Sequence, residues 1–193
     1  MEAFDVGGSH ENCRELKRAH PEEWETYYKF AIVRNTWDWY ASLYRYWAYM
    51  ERARHFNGDR MRGKRISQNW YRSKVANFAD SVDKVRFLWG VRRTRTHYWR
   101  QRQWVVDGGE IVVDDLFRLA DLPEWYGDLA ERFGLPEITK ENAINQGRHY
   151  SAYYTDEMAR TIGEFYKPDI EQFGFTFDRV EDYDPALSEV SEW

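Results

Sequence analysis

A single cysteine, Cys13, leaves these 193 residues without any internal disulfide, so the fold has to be held by packing rather than cross-links. One free thiol fits a reducing compartment, and the cytoplasm is the expected location. No apolar run approaches the roughly 20 residues that a membrane helix needs, and no signal-peptide core stands at the start. An excess of positive charge is also lacking: the formal net charge is −5. That balance argues against a general nucleic-acid binder. No internal repeat and no composition shift marks a linker, so one domain spanning 1–193 is expected, with an acidic tail over about 181–193. No metal is expected.

What the chain does have is local charge asymmetry and many rings. Lys84, Arg86, Arg92, Arg93, Arg95, Arg100 and Arg102 fall in one stretch with no acid among them. A local basic patch on an acidic protein suits a compact bound anion better than a long polyanion. Aromatic residues make up 18% of the chain, ten of them Trp. Many are expected in the core; others, around Arg92–Trp104, could stack on sugar faces beside the arginines.

The rest is organised around Phe30–Trp47, FAIVRNTWDWYASLYRYW. Phe30, Ala31, Ile32 and Val33 form an unbroken apolar run, expected as a strand covered on both faces. It stops at Arg34 and Asn35, and a helical pattern follows at once. Trp37, Ala41, Tyr44 and Ala48 recur at spacings of four and three, describing one packed face. Asn35 is a good N-cap, and Asp38 sits in the first turn where the helix dipole favours an acid. Ligands of open α/β sheets lie at the carboxyl ends of strands, where helix-start N–H groups point outward. A fixed cation at that corner therefore points to an anionic ligand, phosphate being the common one.

Around this corner the expected order is as follows. Gly7-Gly8-Ser9 lacks the preceding strand and Lys-Ser/Thr ending of a phosphate loop, so Ser9 is expected to cap a helix through Cys13, Leu16 and Lys17. Pro21-Glu22-Glu23-Trp24 opens a second short helix. Residues 55–65 form a Gly- and charge-rich loop, and Asn69–Trp89 a helix. Gln103–Val106 and Glu110–Val113 should pair as a hairpin across Asp107-Gly108-Gly109. Leu122–Phe133 is an amphipathic helix closed by Gly134. Glu137–Tyr154 is polar and irregular. Thr155 caps a helix through Tyr166, and Asp169–Phe173 makes a further turn ending at Gly174.

Three of these pieces, in order, resemble the carbohydrate-type sulfotransferases, which use the sulfate donor PAPS (3′-phosphoadenosine 5′-phosphosulfate). FAIVRNTWDWYASLY is similar to the family segment F-x-x-V-R-N-P-W-D-R-x-x-S-x-Y. WVVDGGEIVVDDLFRLADLPEWYGDLAERFGLP resembles its hairpin and following helix, and YSAYYTDEMARTIGEFYKPDIEQFGFTF its ending. The resemblance runs from about Ser9 to Phe177. It implies an α/β, P-loop-like fold, with a small central parallel sheet flanked by many helices. It implies PAPS as co-substrate, and a glycan or other hydroxyl acceptor as partner. Arg34 would fork onto the donor's 3′-phosphate and Ser42 would add its hydroxyl, with Asn35 and the helix start beside them. His10 would take the proton of the attacking hydroxyl. Arg148 and Tyr150 would lie in the loop that folds over the nucleotide.

The chain departs from the family pattern at Thr36 (usually Pro), Trp39 (usually Arg) and Ala120 (usually Glu). Nothing in the 193 residues matches the family's first strand and P-K-x-G-[GT]-[TS] loop, which holds the 5′-phosphosulfate. With that strand missing, one side of the central strand should be open, and a partner or second copy is expected to cover it. Two other functions compete with transfer: a non-catalytic nucleotide- or glycan-binding remnant of the fold, and nucleic-acid binding through Arg86–Arg102, which the acidic balance disfavours.

Overall fold

The computed structural model describes residues 11–45, 78–83, 100–137 and 149–180. Ser9, the 55–65 loop, most of the helix expected over 69–89, the basic stretch up to Trp99 and the acidic tail lie outside them.

Asn12, not Ser9, caps the first helix, α1 (Cys13–Ala19). Its side chain accepts from the N–H groups of Arg14 and Glu15, and Glu15 reaches back to the Asn12 N–H. Such a reciprocal box satisfies helix-start donors that would otherwise be orphaned. Helix α2 (Pro21–Thr26) opens on Pro21, as expected. Strand β1 (Phe30–Val33) follows, then α3, described over residues 36–45, and α4 over 78–83. Beyond them come α5 (Arg102–Val105), the hairpin β2 (Val106–Asp107) and β3 (Glu110–Ile111), and β4 (Asp115–Arg118). The chain then forms α6 (Leu122–Phe133), a 3₁₀ turn (Tyr150–Tyr153), α7 (Asp156–Phe165) and α8 (Lys167–Phe173).

The architecture is mixed α/β, with a small parallel sheet of β1 and β4 and several helices around it. The register pairs Phe30 with Asp115 and Val33 with Arg118. The strand β4 was not anticipated, because Asp114-Asp115 breaks the apolar run there. Expected and found are the Asp107–Glu110 turn, with Gly108 and Gly109 both at positive φ, and the left-handed glycine caps at Gly134 and Gly174. Positive φ at both central positions matches the twist of a tight hairpin, which glycine adopts without strain.

Two expectations are corrected. Residues 103–105 are helical rather than a hairpin arm, because the buried Asp169 carboxylate accepts from the N–H groups of Gln101 (2.7 Å) and Arg102 (3.3 Å) and so starts a helical turn. Nor is β1 covered on both faces. Val33 is buried and Ala31 packs against the core, while Phe30 and Ile32 are 41% and 47% exposed. On that outer face α6 reaches Phe117 of β4, where Trp125 stacks at 4.5 Å.

The core lies between α3, α4, α7 and α8 and is built largely of rings, among them Trp37, Tyr40, Phe78, Tyr154, Phe165 and Tyr166. Three of the polar ends have backbone partners. Trp37 Nε1–H donates to the Ala159 carbonyl (2.8 Å), Tyr154 O–H to that of Trp37 (2.8 Å) and Tyr40 O–H to that of Ser81 (2.9 Å). Buried amphipathic rings demand such partners. Burial pushes the Tyr40 phenol up to about 12, so it stays neutral. Among the described residues, no helix is long and apolar enough to cross a membrane.

Candidate functional site

The corner after β1 carries the candidate site. Arg34 follows the last strand residue, beside Arg118 at the same end of β4. The two cations differ in what they meet. Arg118 donates to the Phe173 carbonyl (2.9 Å) and lies over the Phe175 ring, which fastens β4 to α8. Arg34 turns along α3 instead. Its Nε and Nη2 grip the Asp38 carboxylate at 2.5 and 2.9 Å. The i, i+4 spacing on a helix face makes this pairing possible. Both side chains are about a third exposed, so the pair is worth only about 0.3–0.5 kcal/mol. Its effect is directional. Asp38 takes the side-on edge of the guanidinium, and the Nη1/Nη2 end turns away from it. It also draws the group along α3 towards the next turn, where Ser42 sits half-buried.

Asn35 behaves as the expected cap, its Oδ1 accepting from the Trp37 N–H (3.1 Å), while its Nδ2 donates to the Thr176 carbonyl (2.7 Å). The side chain is thereby engaged in structure, so any ligand contact from this position comes through the helix start rather than the amide. Tyr150 is buried behind the corner and its hydroxyl accepts from the Asp178 N–H (2.9 Å). Burial raises its pKa, the Asp178 N–H and Asn35 hydrogen bonds pulling the other way. A neutral phenol in that position orders the 176–178 segment and is no base at neutral pH. The structure thus brings Arg34, Asn35 and Tyr150 together with Asp38. His10 and Arg148 lie outside the described residues.

The departures from the family pattern have structural places. Trp39 packs edge-on against Tyr166 at 5.6 Å, so the core uses the ring. Ala120 is exposed in the 3₁₀ turn after β4. Thr36 is fully buried at the first position of α3 and its Oγ1 has no hydrogen-bond partner among the described residues. A buried orphan hydroxyl costs about 1–3 kcal/mol. Thr36→Val, which keeps the shape and removes that hydroxyl, should therefore raise the thermal midpoint by at least about 2 °C, on the usual slope of about 2–4 °C per kcal/mol for a chain of this size. A lower midpoint by calorimetry would show that the hydroxyl has a partner after all.

Two residues of the corner were missed. Gln101 closes on Arg34 from the side: its Nε2 donates to the Arg34 carbonyl and its Oε1 accepts from the Arg34 N–H, both at 2.8 Å. Asp169, 0% exposed on α8, holds the Gln101 N–H in turn. Burial pushes the Asp169 carboxyl up to about 6; the Gln101 and Arg102 N–H groups and the charges of Arg100 and Arg102 oppose that shift. Gln101 was hidden inside a basic stretch, and an acid in a helix first turn ordinarily faces water. Among the described residues no group of three His, Cys, Asp or Glu could hold a metal ion. No family model, curated protein or solved structure matches the chain.

Proposed function

We propose that this chain is a sulfotransferase-fold domain that binds PAPS and transfers its sulfuryl group to a hydroxyl on a carbohydrate. One observation carries the reading. The end-on edge of Arg34 stands at the carboxyl end of a parallel strand, where a ten-residue stretch of helix begins. A planar fork of N–H donors meets a phosphate with two parallel hydrogen bonds, and the α3 start adds a positive dipole end. The 3′-phosphate would occupy this end of Arg34, with the Ser42 hydroxyl as a further donor about two turns on.

Chemistry would follow by in-line attack. The acceptor oxygen bonds to sulfur as the sulfur–oxygen bond to the 5′-phosphate breaks; adenosine 3′,5′-bisphosphate leaves and the hydroxyl proton passes to His10. In this reading the fold is the P-loop-like one, the compartment the cytoplasm, and the acceptor an anionic or neutral glycan held by aromatic and arginine side chains. A partner or second copy covering the edge of β1 away from β4 belongs to the same reading.

A second reading is nucleotide or glycan binding without transfer; transfer needs preorganised donors for the charge that develops on the leaving phosphate, and binding does not. Release of adenosine 3′,5′-bisphosphate from PAPS, measured over a panel of glycan acceptors, separates the two. Acceptor-dependent release supports transfer. Binding of PAPS with no release over the whole panel supports the second reading and overturns the first.

A further inference from the structure

We propose that Gln101 is a positioning residue for Arg34, with Asp169 as its anchor; this rests on the reading of Arg34 as the phosphate ligand. The geometry of the strand edge carries it. The Lys29 carbonyl accepts from the N–H groups of Asp114 and Asp115 (2.8 and 3.2 Å), so Lys29 faces β4. Backbone groups alternate along a strand, which turns Ala31 and Val33 towards β4 and Phe30, Ile32 and Arg34 away from it. The Arg34 N–H and C=O thus lie on the edge of β1 away from β4, unpaired with any strand among the described residues, one residue past the last ladder pair.

Gln101 supplies there what a neighbouring strand would: one donor and one acceptor, each at 2.8 Å. A side-chain amide is the group that can do this at a strand end, since it carries both functions side by side. Gln101 is itself fixed, because its N–H ends on the Asp169 carboxylate at 2.7 Å and that carboxylate is wholly buried. The chain of contacts runs from the buried acid of α8, through the start of α5, to the backbone of Arg34, and its guanidinium is then oriented by Asp38. The backbone of Arg34 is held from one side and its side chain from the other. Placement of a binding group within a fraction of an ångström governs what it contributes.

The test uses Gln101→Met, which keeps the length of the side chain and removes both hydrogen bonds. Affinity for adenosine 3′,5′-bisphosphate is measured by titration at a temperature where every variant is fully folded by circular dichroism. Gln101→Met is expected to bind about tenfold or more weakly than the unaltered chain, as loss of an orienting partner does at other tightly held sites. Gln101→Ala, which adds no bulk at this half-buried position, serves if the Met variant does not fold. In the pair Asp169→Ala and Gln101→Met, the double variant should bind no more weakly than Gln101→Met alone, because both act through one contact chain. A merely structural role would lower the melting temperature and leave the affinity of the folded protein unchanged, and that result overturns the inference while leaving the phosphate reading intact. Failure of the unaltered chain to bind the bisphosphate overturns both.

Discussion

Arg34→Ala is expected to weaken binding of adenosine 3′,5′-bisphosphate by two to three orders of magnitude, with little change in thermal midpoint. The two expectations have different sources. The Arg34–Asp38 pair is one-third exposed and spans a single helical turn, so its loss costs the fold only a few tenths of a kcal/mol. The ligand loses a forked, charge-assisted pair of hydrogen bonds, each worth about 1.5–3 kcal/mol. Arg34→Lys should recover only part of the affinity, because an ammonium is a point charge and cannot meet two phosphate oxygens side by side. A variant that binds as well as the unaltered chain would place the ligand elsewhere. Calorimetric titration with parallel thermal melts checks both halves.

Asp169→Ala is expected to be the most damaging change to the fold around the corner. The N–H groups of Gln101 and Arg102 lose their acceptor and the contact from α8 to α5 is cut. Orphaned donors cost about 1–3 kcal/mol each, partly offset because the alanine chain no longer buries a charge. A net loss of about 2 kcal/mol at pH 7 follows, seen as a fall of about 4–8 °C in the midpoint. The pH dependence is the sharper signature. Burial raises the folded-state pKa of Asp169 to about 6, above the ordinary carboxylate value. Between about pH 4 and pH 6 the folded chain therefore holds this proton more tightly than the unfolded chain does. Through this group, stability falls as pH rises across that window and levels off above it, by at most roughly 3 kcal/mol. Asp169→Asn, which keeps an acceptor for Gln101 and cannot ionise, should flatten that slope. Denaturant midpoints collected from pH 4 to pH 8 on both chains give the comparison, and identical slopes would rule out Asp169 as the titrating group.

The corner itself was legible in the sequence because its signals are local. An apolar run stopping at Arg34-Asn35 is read from composition, and the packed face of α3 from spacing; the run is found, and so are Trp37, Ala41 and Tyr44 of the face, Ala48 lying outside the described residues. Caps at Thr155, Gly134 and Gly174 are equally local and also found. What escaped depended on distant partners. The turn of helix at 102–105 replaces a plausible strand because a carboxylate 67 or 68 residues away captures its first N–H groups. Strand β4 carries only two apolar residues after a pair of acids, and it becomes a strand by pairing with β1. Asp38 was assigned to the helix dipole, though its i, i+4 relation to Arg34 was visible and foretells the fork that the structure contains. Full burial of β1 was over-read from hydrophobicity alone. Phe30 and Ile32 show that an apolar run fixes the strand but not what covers its second face.

The 3′-phosphate assignment is tested most directly by comparing adenosine 3′,5′-bisphosphate with adenosine 5′-monophosphate in calorimetric titrations of the unaltered chain and Arg34→Ala. The two ligands differ only in the phosphate that Arg34 is proposed to hold. The account predicts that the bisphosphate binds the unaltered chain at least a hundredfold more tightly than the monophosphate, and that Arg34→Ala abolishes this preference. Equal affinity for the two ligands, or a preference that survives in Arg34→Ala, would contradict it.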